Sequence, residues 1–218
     1  MIRIVVILIF ALPWLFSCIE RDKAESDKSA IGNYNFLNDL PTFTADSLVN
    51  VVIEIPAGTN QKWELNKANG QIEWEQITAD SFRVVNYLSY PANYGFVPQT
   101  YLPEETGGDG DPIDVFVLGE SIARETVVTA RIVGIIHMLD DNEADSKLLA
   151  VNTNGPGLNV YSFEMLNNKY PGVTEIIKLW LSHYKGHEKV KILSVNDEKD
   201  AIRYLKKAHI DYIAKQEN

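Results

Sequence analysis

Short strand-forming runs, each cut off by glycine, proline or asparagine, constrain this chain more than any other feature. They stand at 50–55, 62–65, 71–77, 113–118, 127–137, 148–152 and 189–195. β-branched and aromatic side chains favour pleated strands, and the breakers between them force turns. Strands this short and this closely spaced suggest a small closed barrel. Two helical patterns follow. In 174–185, Thr174 is the expected N-cap, Ile176, Ile177, Trp180, Leu181 and Tyr184 form one stripe, and Gly186 is the stop. In 197–215, Ala201, Ile202, Leu205, Ala208, Tyr212 and Ile213 repeat the pattern. Such stripes pack against a core, so the class is mainly β with α (α+β).

A chain of 218 residues holds one good core at roughly 100–200 residues per domain. The formal charge of -10, from 30 acidic and 20 basic residues without a dense Lys/Arg run, argues against a nucleic-acid partner. Metal ions are the natural positive partner. The N-terminus reads as targeting: Arg3, an apolar stretch over 4–12, then Leu15-Phe16-Ser17-Cys18. Only fourteen residues separate Arg3 from Cys18, short of the ~20 that a span requires. Cys18, the sole cysteine, has no intrachain disulfide partner. Its position resembles the lipobox of bacterial lipoproteins, which implies acylation of Cys18 after a signal peptide at 1–18. The domain would then be exported and held at a membrane, facing the periplasm or the cell exterior. The alternative is an ordinary secretory signal or an uncleaved anchor. Residues 19–47, rich in Ser, Asp, Lys, Asn and Glu, read as a flexible tether before a domain over 48–218.

Asp109-Gly110-Asp111-Pro112-Ile113-Asp114 packs three carboxylates into six residues. Like charges this close push each other's pKa upward unless a cation neutralises them. Oxygen-only donors favour Mg²⁺, Mn²⁺ or Ca²⁺ over zinc or copper. On a regular strand Asp109 and Asp111 share a face and Asp114 takes the other, so convergence requires an irregular chain around Pro112. A calcium-sensor loop does not fit, because Ile113 and Asp114 fill a ligand and a glycine position and the flanks are strand-like. Glu54 interrupts the apolar run 51–56, and Asp140, Asp141 and Asp145 stand where a long strand turns back. Each of these alone reads as solvated surface. Interleaved with them are Lys62, Arg83, Lys147 and Lys185, with Tyr90, Tyr94 and Tyr184, groups suited to phosphate oxygens. Acids for metal beside cations for phosphate imply phosphoryl transfer. His137, His183, His187 and His209 lack ligand spacing and are read as structural or surface residues. Trp74 and Trp180 are read as core or interface.

Six blocks occur in order over 48–195: Val51-Val52-Ile53-Glu54-Ile55-Pro56, Lys62-Trp63-Glu64, Tyr90-Pro91-Ala92-Asn93-Tyr94-Gly95-Phe96, the aspartate run, 140–147, and His183-Tyr184-Lys185. Together they resemble the soluble family I inorganic pyrophosphatases. The resemblance implies a five-stranded OB-like barrel with two C-terminal helices packed on it. It implies hydrolysis of a metal complex of pyrophosphate to two orthophosphates, by in-line attack of a water held by the metals. Asp109, Asp114 and Asp145 would hold one Mg²⁺, Asp114 would bridge to a second, Asp140 and Asp145 would hold a third, and Glu54 would reach a fourth. Mn²⁺ or another divalent ion could replace them. Asp111 would be the general base. Lys62, Arg83, Tyr94, Lys147, Tyr184 and Lys185 would grip phosphate, with Glu64, Tyr90 and Asp141 in support. A homo-oligomer is implied as well, hexameric in bacterial relatives. Arg83 stands seven residues before Tyr90, one closer than in typical bacterial members. Two other functions compete: a polyanion-binding scaffold without turnover, and hydrolysis of a larger phosphoanhydride such as a nucleotide or short polyphosphate.

Growth with a radioactive fatty acid should label the parent chain and leave Cys18→Ala unlabelled. An unlabelled parent would remove the lipid anchor.

Overall fold

The computed structural model describes residues 34–44, 48–155 and 157–217. The expected signal segment, Cys18 and most of the expected tether lie outside the described residues. Residues 35–218 form one compact unit. Within it, Phe36 and Thr42 are buried, and Thr42 donates its hydroxyl to the Pro98 carbonyl at 2.8 Å. Residues 35–44, expected as tether, therefore pack on the folded body.

The strands in chain order are β1 (Val49–Ile55), β2 (Trp63–Asn66), β3 (Gln71–Trp74), β4 (Gln76–Thr78), β5 (Ser81–Phe82), β6 (Asn93–Phe96), β7 (Asp114–Leu118), β8 (Val127–Asp140), β9 (Glu143–Ala144) and β10 (Lys147–Asn152). Helices α1 (Phe163–Lys169) and α2 (Val173–His183) follow, then β11 (Val190–Asp197) and α3 (Glu198–Gln216). β1, β6, β7, β10 and β8 pair in that order, and β8 pairs back onto β1 to close the ring. The β7–β10 pair is parallel and the other pairs of the ring are antiparallel. This is the expected five-stranded barrel. The far half of β8 leaves the ring and pairs with β11.

The ring strands are buried on both faces, which explains their near-continuous apolar runs. Val115 and Val117 of β7 pack with Ala201, Leu205 and Ala208 of α3, whereas Phe116 and Leu118 pack with Leu166 of α1 and Ile177 and Trp180 of α2. β1 follows the same rule until a bulge. Ile53 opposes Gly95 and Ile55 opposes Tyr94, so Glu54 is the extra residue. Val49, Val51 and Ile53 therefore face one cluster, while Ile55 faces the other. A bulge re-aims the side chain it carries, and here that side chain is the one acid of the strand.

Several local expectations need correction. The run at 71–77 breaks at Glu75 into β3 and β4. Helix α2 is capped by Gly172 rather than Thr174, which is buried in its first turn and donates its hydroxyl to Asn167 Oδ1 at 3.2 Å. The third helix, α1, was not expected. It has seven residues and a Ser162 cap whose hydroxyl accepts from Met165 N, a pattern too short to show periodicity.

Gly95 carries a strict steric demand. A Cβ there would lie 1.8 Å from the Val52 carbonyl oxygen across the β1–β6 pair, a clash with backbone that no rotamer relieves. Gly95→Ala should lower urea stability by about 3 kcal/mol, the upper end of overpacking costs. An unchanged urea midpoint would show that the two strands move apart freely.

Candidate active site

The aspartate run departs from strand geometry as anticipated. Gly110 takes a left-handed φ of 75° and β7 begins only at Asp114. Asp109 Oδ1 accepts from Asp111 N at 3.0 Å, closing a turn. Gly110 N and Leu102 N pin that turn by bonding to the Leu102 and Asp111 carbonyls at 2.9 and 3.0 Å. Asp109, Asp111 and Asp114 all line one cavity of about 260 Å³.

The rest of the lining arrives from several elements. Lys62 and Glu64 come from the start of β2, with Lys62 Nζ 3.4 Å from the Glu64 carboxylate. Asp140, Asp141 and Asp145 come from the turn between β8 and β10, and Lys147 opens β10. Tyr184 and Lys185 follow the end of α2, and Arg83 follows β5. Tyr90 and Tyr94 supply buried phenols. Glu54 is set apart. It is buried behind the cavity lining, and its Oε1 accepts from Leu65 N at 2.7 Å.

Side chains not anticipated also line the cavity: Glu143, Trp180 and Leu181. Trp180 is core, as expected, yet its indole stacks on Tyr184 with ring centres 4.4 Å apart. The i, i+4 spacing of Trp180 and Tyr184 on α2 carried that signal. Lys67, on the turn after β2, binds the Asp111 carboxylate and the Gly110 carbonyl. Glu75 holds the Arg83 guanidinium at 2.9 and 3.0 Å.

Burial dominates the electrostatics. It pushes Glu54 up to about 8 and Asp109 up to about 6, the latter with added repulsion from Asp145, Asp114 and Asp111. It lifts Asp145 above its usual range, opposed by Lys147 and reinforced by Asp114. Burial alone would lower Lys147, but Asp114 and Asp145 outweigh it and hold the amine well above its usual value. Burial also raises Tyr90 to about 12.

No three acidic, histidine or cysteine side chains among the described residues are arranged to hold a metal ion between them. Ammonium groups take those oxygens instead: Lys147 contacts Asp114 and Asp145, and Lys185 contacts Asp140. The donor set nonetheless fits a hard divalent cation. Eight carboxylates face four cationic side chains across the cavity, and Asp140 Oδ1 is buried with no hydrogen-bond partner. An all-oxygen, net-negative pocket suits such an ion.

A family model described as inorganic pyrophosphatase matches residues 51–213. An inorganic pyrophosphatase of Campylobacter jejuni is 34% identical over 168 residues, covering 75% of this chain and 91% of that protein. The crystal structure of inorganic pyrophosphatase from Thermus thermophilus aligns with a TM-score of 0.70 and 28% identity, over 82% of this chain and 99% of that one. The type I enzyme from P falciparum aligns with a TM-score of 0.75 at 22% identity, a likeness of fold, over 84% of this chain and 64% of that one.

Glu54 yields a pH prediction for protein held in chelator. With a folded pKa near 8 against 4.5 unfolded, the folded state keeps a proton that the unfolded state has released. Stability therefore falls as pH rises through that window. Between pH 5 and 8 the parent should lose at least about 1.4 kcal/mol relative to Glu54→Gln, the equivalent of one pKa unit. Parallel thermal-unfolding profiles for the two proteins would refute it.

Proposed function

The chain belongs to the inorganic pyrophosphatase family, and from that membership we propose that it hydrolyses pyrophosphate to two orthophosphates with divalent cations, Mg²⁺ first among them. The observation that carries this reading is the meeting of phosphate-seeking Lys62, Arg83, Lys147, Lys185, Tyr94 and Tyr184 with six aspartates in one small cavity. Its volume of about 260 Å³ lies below the roughly 300–1,000 Å³ usual for drug-sized ligands. A compact anion suits it better than a nucleotide.

Asp109, Asp114, Asp140 and Asp145 would hold the cations, with Glu54 behind them and three to four ions in all. Bound there, Mg²⁺ or Mn²⁺ would offset the carboxylate excess, polarise phosphoryl oxygens and acidify the attacking water. The chain's own residues do the rest. Asp111, half exposed at the cavity edge, takes the proton from that water. Lys147 stays protonated at neutral pH because Asp114 and Asp145 raise it, so it brings a full charge to phosphate. Tyr94 and Tyr184, both raised by burial, remain hydroxyl donors. Glu75 orients Arg83. Such fixed donors stabilise the charge that spreads over the departing phosphate.

Within the same proposal the domain works outside the cytosol, tethered by an acylated Cys18, and as a homo-oligomer. The apolar stretch before Cys18 supports the first point. Exposed Ile176 and Leu179 on α2 support the second.

Phosphate release from pyrophosphate should require Mg²⁺ and should exceed release from ATP. Asp111→Asn should slow it on the order of 10²–10⁴-fold, the usual contribution of a general base. Equal rates in parent and variant would remove Asp111 from that role.

A further inference from the structure

His137 was expected to be structural, yet its surroundings tie it to the active site. On β8 its Nδ1 meets Ser146 Oγ at 2.9 Å and its Nε2 meets Asp200 Oδ2 at 2.8 Å. Ser146 is buried. The Tyr204 ring stands edge-on to the imidazole, with centres 5.5 Å apart. Asp200, in the first turn of α3, accepts further bonds from Asn196 Nδ2 and Arg203 Nη2, each at 2.8 Å.

The donor–acceptor chemistry fixes a direction. An ionised carboxylate only accepts, so Nε2 must carry the proton that binds Asp200. In the neutral ring Nδ1 is then an acceptor, filled by the Ser146 hydroxyl. Ser146 donates to His137 and His137 to Asp200, and the chain ends on a charge. Those bonds also hold the Asp200 carboxyl at about 2, His137 contributing most and Asn196 next. Connected networks of this kind are stiff. Ser146 is no candidate nucleophile, since it does not line the cavity and its hydroxyl is engaged with His137.

Its position in the chain gives the network a purpose. Ser146 lies between Asp145 and Lys147, one assigned to cation and the other to phosphate, at the junction of β9 and β10. We propose that Ser146, His137 and Asp200 form a positioning relay through which α3 fixes the 145–147 segment and so sets Asp145 and Lys147 for their ligands. The relay rests on the reading of the site given above. Its members act through Asp145 and Lys147, without touching substrate.

Ser146→Ala and Asp200→Asn test the relay in the full-length protein. Each should weaken binding of Mn²⁺ alone, followed by electron paramagnetic resonance, about tenfold, as loss of an outer partner of a metal ligand commonly does. Long-range proton–nitrogen spectra of the parent should show His137 as the Nε2–H tautomer, and Asp200→Asn should perturb that signature. Unchanged Mn²⁺ affinity in both variants overturns the relay, even if their thermal stability falls, because a mere structural brace would behave so. An Nδ1–H tautomer in the parent overturns it too. Parent turnover of pyrophosphate is measured alongside: its absence strikes the hydrolase reading, whereas intact turnover with unchanged Mn²⁺ affinity strikes the relay alone.

Discussion

Mutual repulsion among carboxylates gathered at one end of the strand ring is the constraint on which the rest of this structure depends. Asp109, Asp114, Asp140 and Asp145 share a small cavity, with Glu54 buried behind it. Burial first, and repulsion from neighbouring acids second, raises the pKa values of Asp109, Asp145 and Glu54. Only strong local scaffolding keeps such groups together. The scaffolding is the closed ring, whose apolar clusters on both strand faces leave the acids at strand ends and turns no freedom to disperse.

Irregular backbone aims the acids, and regular backbone supplies the anchor. The bulge in β1 turns Glu54 out of the apolar alternation. The Gly110 turn separates Asp109 and Asp111 from the strand that starts at Asp114. β8 is long enough to close the ring at one end and to carry Asp140 into the cavity at the other. Bulges and tight turns of this sort recur next to functional sites because they re-aim side chains that a regular strand would point elsewhere.

Much of this was legible in the residues, for identifiable reasons. The ring strands announce themselves because burial on both faces demands unbroken apolar runs, as in 115–118 and 148–151. β6 is harder to read: Asn-Tyr-Gly-Phe lacks branched residues, and its glycine is there for the close approach of Val52. The aspartate run discloses a carboxylate-lined cavity through charge density alone. Lys67 and Glu75 stay hidden because their meaning depends on contacts across a turn and a hairpin. Thr174 misled as a cap, since the left-handed Gly172 and the buried Thr174–Asn167 bond can only be read in three dimensions.

The pairing of lysines with these acids carries a further consequence for chemistry. Lys147 and Lys185 are engaged with Asp114, Asp145 and Asp140, and an ammonium so engaged has few donors left for phosphate. Four cationic side chains cannot balance eight carboxylates, so an added anion alone would deepen the excess of negative charge. Each lysine becomes available to phosphate only as its carboxylate partner is satisfied by another positive charge. Cation and pyrophosphate are therefore expected to bind with mutual reinforcement, each raising affinity for the other by the same factor. The long, flexible stems of Lys147 and Lys185 allow that exchange of partners, whereas Arg83, whose Nη1 bonds to both Glu75 carboxylate oxygens, keeps the rest of its planar fork free to donate.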